Sequence, residues 1–174
     1  MNHEYLLKAL RLLNVDGLRS FGFYRRTSLP WAQFPPEPTR GILRIFQAPS
    51  LVNLELWEVP RSFLDACTSS LRSLCLYHTT TDSLPNAVNP TSVTRTSPIV
   101  LKSLIFQDGN FNALVKEGNK ISSKELEYLQ VKGARPEFHL RIPQLIRLCS
   151  QTLRSLDIKP CLTYNSLDGG SQGR

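Results

Sequence analysis

Long apolar runs are missing from this sequence of 174 residues: none approaches the roughly 20 residues that a membrane-spanning helix needs. The first thirteen residues include Glu4, Lys8 and Arg11, which is typical neither of a signal peptide nor of a spanning helix. Cysteine is scarce, with four irregularly spaced residues, and Pro90 cancels the only Asn-x-Ser/Thr match, at Asn89. We therefore expect no membrane contact, no secreted disulfide framework, and an intracellular location, cytoplasmic or nuclear, with reduced thiols.

The usual motifs of catalysis are also absent. The sequence has no Gly-x-Gly-x-x-Gly, no Walker-type loop, no Gly-x-Ser-x-Gly and no His-Glu-x-x-His. The histidines His3, His78 and His139 are isolated, and a zinc site drawn from Cys67, Cys75 and His78 has no fourth ligand. We therefore predict that the protein is not an enzyme, with no catalytic residues, no metal and no cofactor.

One tetrapeptide occurs in four near-copies of the form Leu-Arg/Lys-Ser-Leu/Phe, which begin at Leu18, Leu71, Leu101 and Leu153. Each copy is the front of a pattern Leu-x-x-Leu-x-Leu in which other apolar residues are tolerated. The pattern has six matches: Leu18/Phe21/Phe23, Leu51/Leu54/Leu56, Leu71/Leu74/Leu76, Leu101/Leu104/Phe106, Leu126/Leu129/Val131 and Leu153/Leu156/Ile158. Their starts are 33, 20, 30, 25 and 27 residues apart, which indicates an irregular internal repeat.

Two repeats also share the segment that precedes them. Each copy has an apolar residue before a proline, then an apolar pair, then a cysteine four residues ahead of the next leucine. The copies run from Val59 to Cys67 and from Ile142 to Cys149. We interpret the two cysteines as small hydrophobic residues that fill the space behind a strand rather than as nucleophiles.

Alternation at the end of each pattern predicts a short strand whose two apolar residues point to one side. One such strand buries little, whereas strands stacked in parallel merge their leucines into one core that return segments close from behind. Several of the segments between strands have helical spacing: Arg40–Phe46, the stretches after Pro60 and Pro143, and Asn112–Lys116. The spacing of Tyr5–Leu13 predicts an amphipathic helix that covers the first strand. The fold class is therefore α/β, with strands predicted near 20–24, 53–57, 73–77, 103–107, 128–132 and 155–159.

Two stretches interrupt the repeat, and a third follows it. Residues 29–38 are too rich in proline for a helix or a central strand. Residues 83–98 are polar and without period, so we expect a mobile insertion there. We assign residues 1–163 to one repeat domain and predict that residues 164–174 form a disordered tail.

These strands and returns resemble the leucine-rich-repeat superfamily, and within it the irregular, cysteine-containing intracellular branch found in fungal F-box proteins. The resemblance spans about Leu10 to Cys161. It implies a short, irregular leucine-rich-repeat solenoid, with parallel strands on its concave face and helices or loops on its convex face. It also implies the role of substrate receptor in a ubiquitin ligase. No F-box-like Leu-Pro start occurs in residues 1–14, so an adaptor of the ligase is an expected partner only if an F-box lies elsewhere.

The side chains between and just after the core pairs are predicted to face a partner. The residues just after the core pairs change along the repeats from aromatic to polar and then to basic. Exposed aromatic side chains are frequent binding hot spots. The residues chosen are Tyr24, Glu55, Trp57, Tyr77, Gln107, Gln130, Lys132, Asp157 and Lys159. The alternative is that Trp57 and the tyrosines only pack against neighbouring strands.

The net charge of +7 raises the alternative of a basic scaffold associated with nucleic acid. Acidic residues such as Glu117, Glu125 and Asp157 interleave with the cations, and no nucleic-acid module is recognised, so a solvated face is the simpler interpretation. The predicted function is therefore a non-catalytic module that binds a protein partner of unknown identity. A diverged fragment without a retained partner is the remaining alternative.

Overall fold

The computed structural model describes residues 3–25, 30–79, 97–107, 120–134 and 142–160. Its elements, in chain order, are α1 (His3–Leu12), β1 (Ser20–Tyr24), a 3-10 turn (Trp31–Gln33), α2 (Pro36–Phe46), β2 (Asn53–Trp57), a 3-10 helix (Arg61–Ala66), β3 (Ser73–Tyr77), β4 (Ile99–Val100), β5 (Ser103–Gln107), β6 (Ile121–Ser122), β7 (Tyr128–Ala134), α3 (Ile142–Cys149) and β8 (Ser155–Pro160).

Six of the strands form one parallel sheet in the order β1-β2-β3-β5-β7-β8, and β4 pairs with β6 in a separate parallel pair. The register aligns the first core residue of every repeat, which joins Phe21, Leu54, Leu74, Leu104, Leu129 and Leu156 in one row. The second core residues form the adjacent row: Phe23, Leu56, Leu76, Phe106, Val131 and Ile158. The predicted α/β class with six parallel strands is therefore confirmed.

Backbone hydrogen bonding between neighbouring strands begins before the strands themselves. In every neighbouring pair of the sheet, the carbonyl of the residue after the first leucine accepts two N–H groups from the next repeat. These carbonyls belong to Arg19, Val52, Arg72, Lys102 and Glu127. For example, the Arg72 carbonyl accepts from Lys102 at 2.8 Å and from Ser103 at 3.1 Å. The repeated sequence pattern thus has a repeated backbone geometry, because the same atoms bond at each step.

In three repeats the residue after the last outward-facing side chain of the strand has a left-handed backbone. Glu58, His78 and Gly133 have φ of 56°, 51° and 62° and occupy the same repeat position, directly after the last outward-facing residue. Only glycine adopts this conformation without steric cost, which for other residues is roughly 1–2 kcal/mol. The turn out of the strand is therefore set by the register of the sheet, and at Glu58 and His78 it overrides local preference.

The return between β1 and β2 supplies the largest side chains of the core. Trp31 is fully buried, and its ring centroid lies 4.8 Å from Phe63 and 5.1 Å from Phe34. The Trp31 indole N–H donates to the Glu58 carbonyl at 2.8 Å, which satisfies the one polar group of the ring. Residues 29–38, predicted to lie outside helices, instead contain the 3-10 turn at Trp31 and the first turn of α2, where Pro36 and Pro38 are tolerated because no intrahelical donor is needed.

The other returns agree with their sequence pattern in part. The stretch after Pro60 forms a 3-10 helix, and α3 begins beside Pro143. Helix α1 packs on α2, where Leu10 lies against Gly41. Four of the predicted features lie outside the described residues: the helical run Asn112–Lys116, the insertion 83–98 except for its last two residues, the domain boundary at 163, and the tail 164–174.

A hydroxyl just before the first leucine bridges to the preceding repeat in three places. The Ser50, Ser70 and Thr152 hydroxyls donate to the carbonyls of Leu18, Leu51 and Leu126 at 3.1, 2.9 and 2.9 Å. Each accepting carbonyl belongs to the first leucine of its own repeat. These hydroxyls therefore tie consecutive repeats together at the edge of the sheet where the strands begin.

Replacing Ser70 with alanine is expected to lower the free energy of unfolding by about 1 kcal/mol, because the Leu51 carbonyl loses a side-chain donor. Urea denaturation monitored by circular dichroism measures the change. Ser69→Ala is the matched control, since it removes a hydroxyl one residue away without touching the Leu51 carbonyl. Equal stability of the two variants would contradict a structural role for the bridge.

Candidate partner-binding face

The sheet has one side that the core does not use, which we call the open face. It consists of three rows of side chains fixed by the strand register. The first row is Ser20, Asn53, Ser73, Ser103, Tyr128 and Ser155; the middle row is Gly22, Glu55, Cys75, Ile105, Gln130 and Asp157; the third row is Tyr24, Trp57, Tyr77, Gln107, Lys132 and Lys159.

All nine residues predicted to face a partner lie on the open face, in its middle and third rows. Their exposure differs. Tyr24 is 55% exposed, whereas Gln130 is only 8% exposed because it lies against its neighbours in the row. The remaining predicted residues are half-buried, except for Lys159, which is exposed.

Tyr24, Trp57 and Tyr77 form the aromatic end of the open face. The rings of Trp57 and Tyr77 stack, with centroids 5.0 Å apart and planes at 27°. The Tyr24 ring folds back along its own strand, so that a Cβ at Gly22 would lie 3.2 Å from the Tyr24 Cε2 atom. Glycine in the middle row therefore provides the space in which the Tyr24 ring lies.

A carboxylate lies within this aromatic end. The Tyr24 hydroxyl donates a hydrogen bond to Glu55, and this bond, with smaller contributions from burial and from the Glu55 charge, raises the pKa of Tyr24. The Tyr77 hydroxyl bonds the Cys75 sulfur; this bond raises the pKa of Tyr77, and burial and the charge of Glu55 raise it further. Both phenols therefore stay protonated to a higher pH than a free tyrosine does.

A shallow groove of about 390 Å³ runs across the first four strands of the sheet. Its walls include Gly22, Glu55, Cys75, Tyr77 and Ile105. They also include the first-row residues Ser20, Asn53 and Ser73, with the Asn53 amide donating to the Ser20 hydroxyl at 2.9 Å. The sequence interpretation missed this first row, although the serine of the repeated tetrapeptide already marked it at four of its six positions.

The opposite end of the open face is charged and internally paired. The Gln130 amide donates to the Asp157 carboxylate, and Lys159 pairs with the same carboxylate at 3.3 Å. The hydrogen bond from Gln130, followed by Lys159, lowers the pKa of Asp157 below its usual value. With Lys132 and Lys159 against Asp157, this end of the open face carries one net positive charge. On the first four strands of the sheet, Glu55 is the only charged residue in the three rows.

The three cysteines within the described residues are buried or half-buried free thiols. Cys67 and Cys149 are 1% and 0% exposed, and their sulfurs point to the carbonyls of Phe63 and Leu145 one helical turn earlier. Burial raises the pKa of Cys67 to about 12 and also raises the pKa of Cys75 on the open face. Within the described residues, no three His, Cys, Asp or Glu side chains are grouped as metal ligands, including Cys67, Cys75 and His78.

Part of the basic charge is neutralised beside the open face. Lys102 lies 3.1 Å from both Glu125 and Glu127, and hydrogen bonds to these carboxylates raise the pKa of Lys102. Two of the acidic residues that interleave with the cations in the sequence thus contact one of those cations in space. This pairing reduces the charge available to a polyanion on that edge of the sheet.

The part of the chain that the structure describes contains no helix long and apolar enough to cross a membrane. Comparisons of the chain with protein-family models, with curated proteins and with solved structures give no match in any of the three.

Proposed function

We propose that the chain is a short, irregular leucine-rich-repeat arc that binds a protein partner through the open face and performs no catalysis. The observation that carries this proposal is the aromatic end, where Tyr24, Trp57 and Tyr77 lie side by side on a face that the core does not need. Large aromatic side chains on a rigid sheet offer contact area at a small cost in conformational entropy. The in-register backbone ladder supplies that rigidity.

The repeated geometry supports the solenoid assignment. The same carbonyl accepts the same two N–H groups at all five steps of the sheet, and hydroxyls bridge repeats at three steps. A row of parallel strands with return segments packed behind it is the arrangement that buries leucines in repeat proteins. The likeness to fungal F-box proteins adds a refinement, in which this face is the substrate-recognition part of a ubiquitin ligase receptor.

Replacing Trp57 with alanine is expected to weaken partner binding by about 2 kcal/mol, or about 30-fold, because the largest ring of the aromatic end is removed. Thermal stability should change little, since Trp57 is only half-buried. The measurement is affinity capture from an extract of source cells with the immobilised chain, followed by titration of each captured protein against both forms.

Tyr5→Ala is the matched control, because Tyr5 is 74% exposed on α1, outside the sheet. A partner lost with Trp57→Ala and kept with Tyr5→Ala supports binding by the open face. Capture of ubiquitin-ligase subunits would support the receptor refinement, and capture of ribonucleoproteins would favour the nucleic-acid scaffold instead. Equal capture by both variants, or unfolding of Trp57→Ala, would contradict the proposal.

A further inference from the structure

We infer that the aromatic end of the open face takes an arginine side chain presented by the partner protein, held between the aromatic rings and the Glu55 carboxylate. This inference rests on the proposed function and names the chemistry that the face recognises. Three features carry it: the placement of the rings, the charge that lies among them, and the groove, which is lined by Glu55 and Tyr77.

The rings surround Glu55 on adjacent strands. In the middle row Glu55 lies between Gly22 and Cys75, and these are the positions over which Tyr24 and Tyr77 fold back. Trp57, two residues after Glu55 on the same strand, stacks on Tyr77 at 5.0 Å. Three consecutive repeats thus place aromatic rings on the strand of Glu55 and on both neighbouring strands.

The charge of this end is unbalanced. Within the described residues Glu55 forms no ion pair, in contrast to Asp157 at the other end, which has Lys159 at 3.3 Å. Aromatic faces carry partial negative charge and attract cations, and the Glu55 carboxylate adds a full charge in the same place. A cationic group is therefore the complementary ligand, and the basic opposite end disfavours a cation there.

Arginine fits this surface better than lysine for geometric reasons. Its planar guanidinium stacks on an aromatic face while its donors reach a carboxylate in pairs, whereas an ammonium is a compact point charge. The groove beside Glu55, of about 390 Å³, is also lined by Ser20, Asn53 and Ser73 of the first row. The hydroxyl and amide groups of that row offer further hydrogen bonds to the partner backbone.

The test uses Nα-acetyl-arginine amide as the probe. Nα-acetyl-citrulline amide is its neutral isostere, and Nα-acetyl-lysine amide, with a free side-chain ammonium group, is the second cation. Each is titrated into the ¹⁵N-labelled full chain, and the indole signal of Trp57 and the backbone amides of Gly22, Glu55 and Cys75 are followed. The indole signal of Trp31, which is fully buried and bonded to the Glu58 carbonyl, reports on the integrity of the fold.

We expect saturable shifts with the arginine probe, binding at least tenfold weaker with citrulline, and loss of binding in Glu55→Gln, which keeps an acceptor for the Tyr24 hydroxyl. Asp157→Asn is the matched control at the charged end and should bind the arginine probe as the unchanged protein does. Equal binding of arginine and citrulline, tighter binding of lysine, or an unaffected Glu55→Gln would overturn the inference.

Failure of this inference is distinguishable from failure of the proposed function. If Trp57→Ala abolishes capture of a partner while the arginine probe binds without selectivity, the open face binds protein by other chemistry. If the probe binds selectively but no captured protein depends on Trp57, the cation site stands and the proposed function falls.

Discussion

Replacing Phe63 with alanine is expected to lower the free energy of unfolding by about 3–5 kcal/mol, because a fully buried ring is lost from the centre of the core. The Phe63 ring meets Trp31 at 4.8 Å and 63° and Phe46 at 5.5 Å and 69°, which are edge-to-face contacts. The change removes both contacts and leaves a cavity beside Trp31 and Phe46, whose stiff rings fill it poorly. Since small domains are stable by roughly 5–15 kcal/mol, the loss is a large part of the total.

Urea denaturation followed by Trp fluorescence measures this effect, because Trp31 lies against the altered site. Phe63→Leu is the graded control: it keeps most of the apolar volume, so its cost should be well below that of alanine. Tyr5→Ala, at an exposed aromatic residue, should stay within about 0.5 kcal/mol of the unchanged protein. A Phe63→Ala variant with full stability would mean that the aromatic cluster is not the centre of the folded state.

The six-stranded sheet was predictable because its information is local and repeated. Each Leu-x-Leu pair fixes which two side chains of a strand face the core, and a shift by one residue would expose them, so the repeats align in only one register. The spacings of 20–33 residues also exclude tight hairpins and favour parallel pairing through a return segment. Phe21, Leu54 and Leu74 therefore became neighbours as the pattern required.

The aromatic cluster was not predictable from the same signals. Trp31 and Phe34 lie in a proline-rich stretch without period, and their partners Phe46 and Phe63 are distant in sequence, so only tertiary packing reveals the contact. The burial of Gln130 is similar, because it follows from a hydrogen bond to Asp157 that the alternation of the strand does not encode.

The open face was predictable in part, unlike the sheet, which was predictable, and the aromatic cluster, which was not. Its rows follow from alternation alone, including the first row, which was missed at Ser20, Asn53 and Ser73 although the alternation extends to it. The side chains within a row then adopt orientations that depend on their neighbours. Tyr24 folds over Gly22 because glycine leaves room there, and this is what brings its hydroxyl to Glu55. The sequence therefore identifies the face, whereas the arrangement of its groups depends on contacts across strands.

Replacing Leu74 with alanine is expected to cost about 2–5 kcal/mol of stability, whereas the same change at Leu156 should cost about 1 kcal/mol or less. The two leucines occupy the same row of the sheet and differ in their place along it. Leu74 lies in β3 between Leu54 and Leu104 and is 0% exposed; Leu156 lies in the last strand of the sheet, is aligned with Leu129 alone, and is 44% exposed.

This contrast isolates the contribution of stacking, because the side chain, the strand position and the substitution are identical. In a stack of repeats an inner leucine is covered by neighbours on both sides, so its removal leaves a cavity, while an outer leucine mostly exchanges one solvated surface for another. The two variants are compared by urea denaturation under one set of conditions, with Ile158→Val as a milder change at the same outer strand. If Leu156→Ala lowered the free energy of unfolding as much as Leu74→Ala, the stability of a strand would not depend on its place in the stack. The solenoid proposal assumes that each repeat is stabilised by its neighbours, and that assumption would then be wrong.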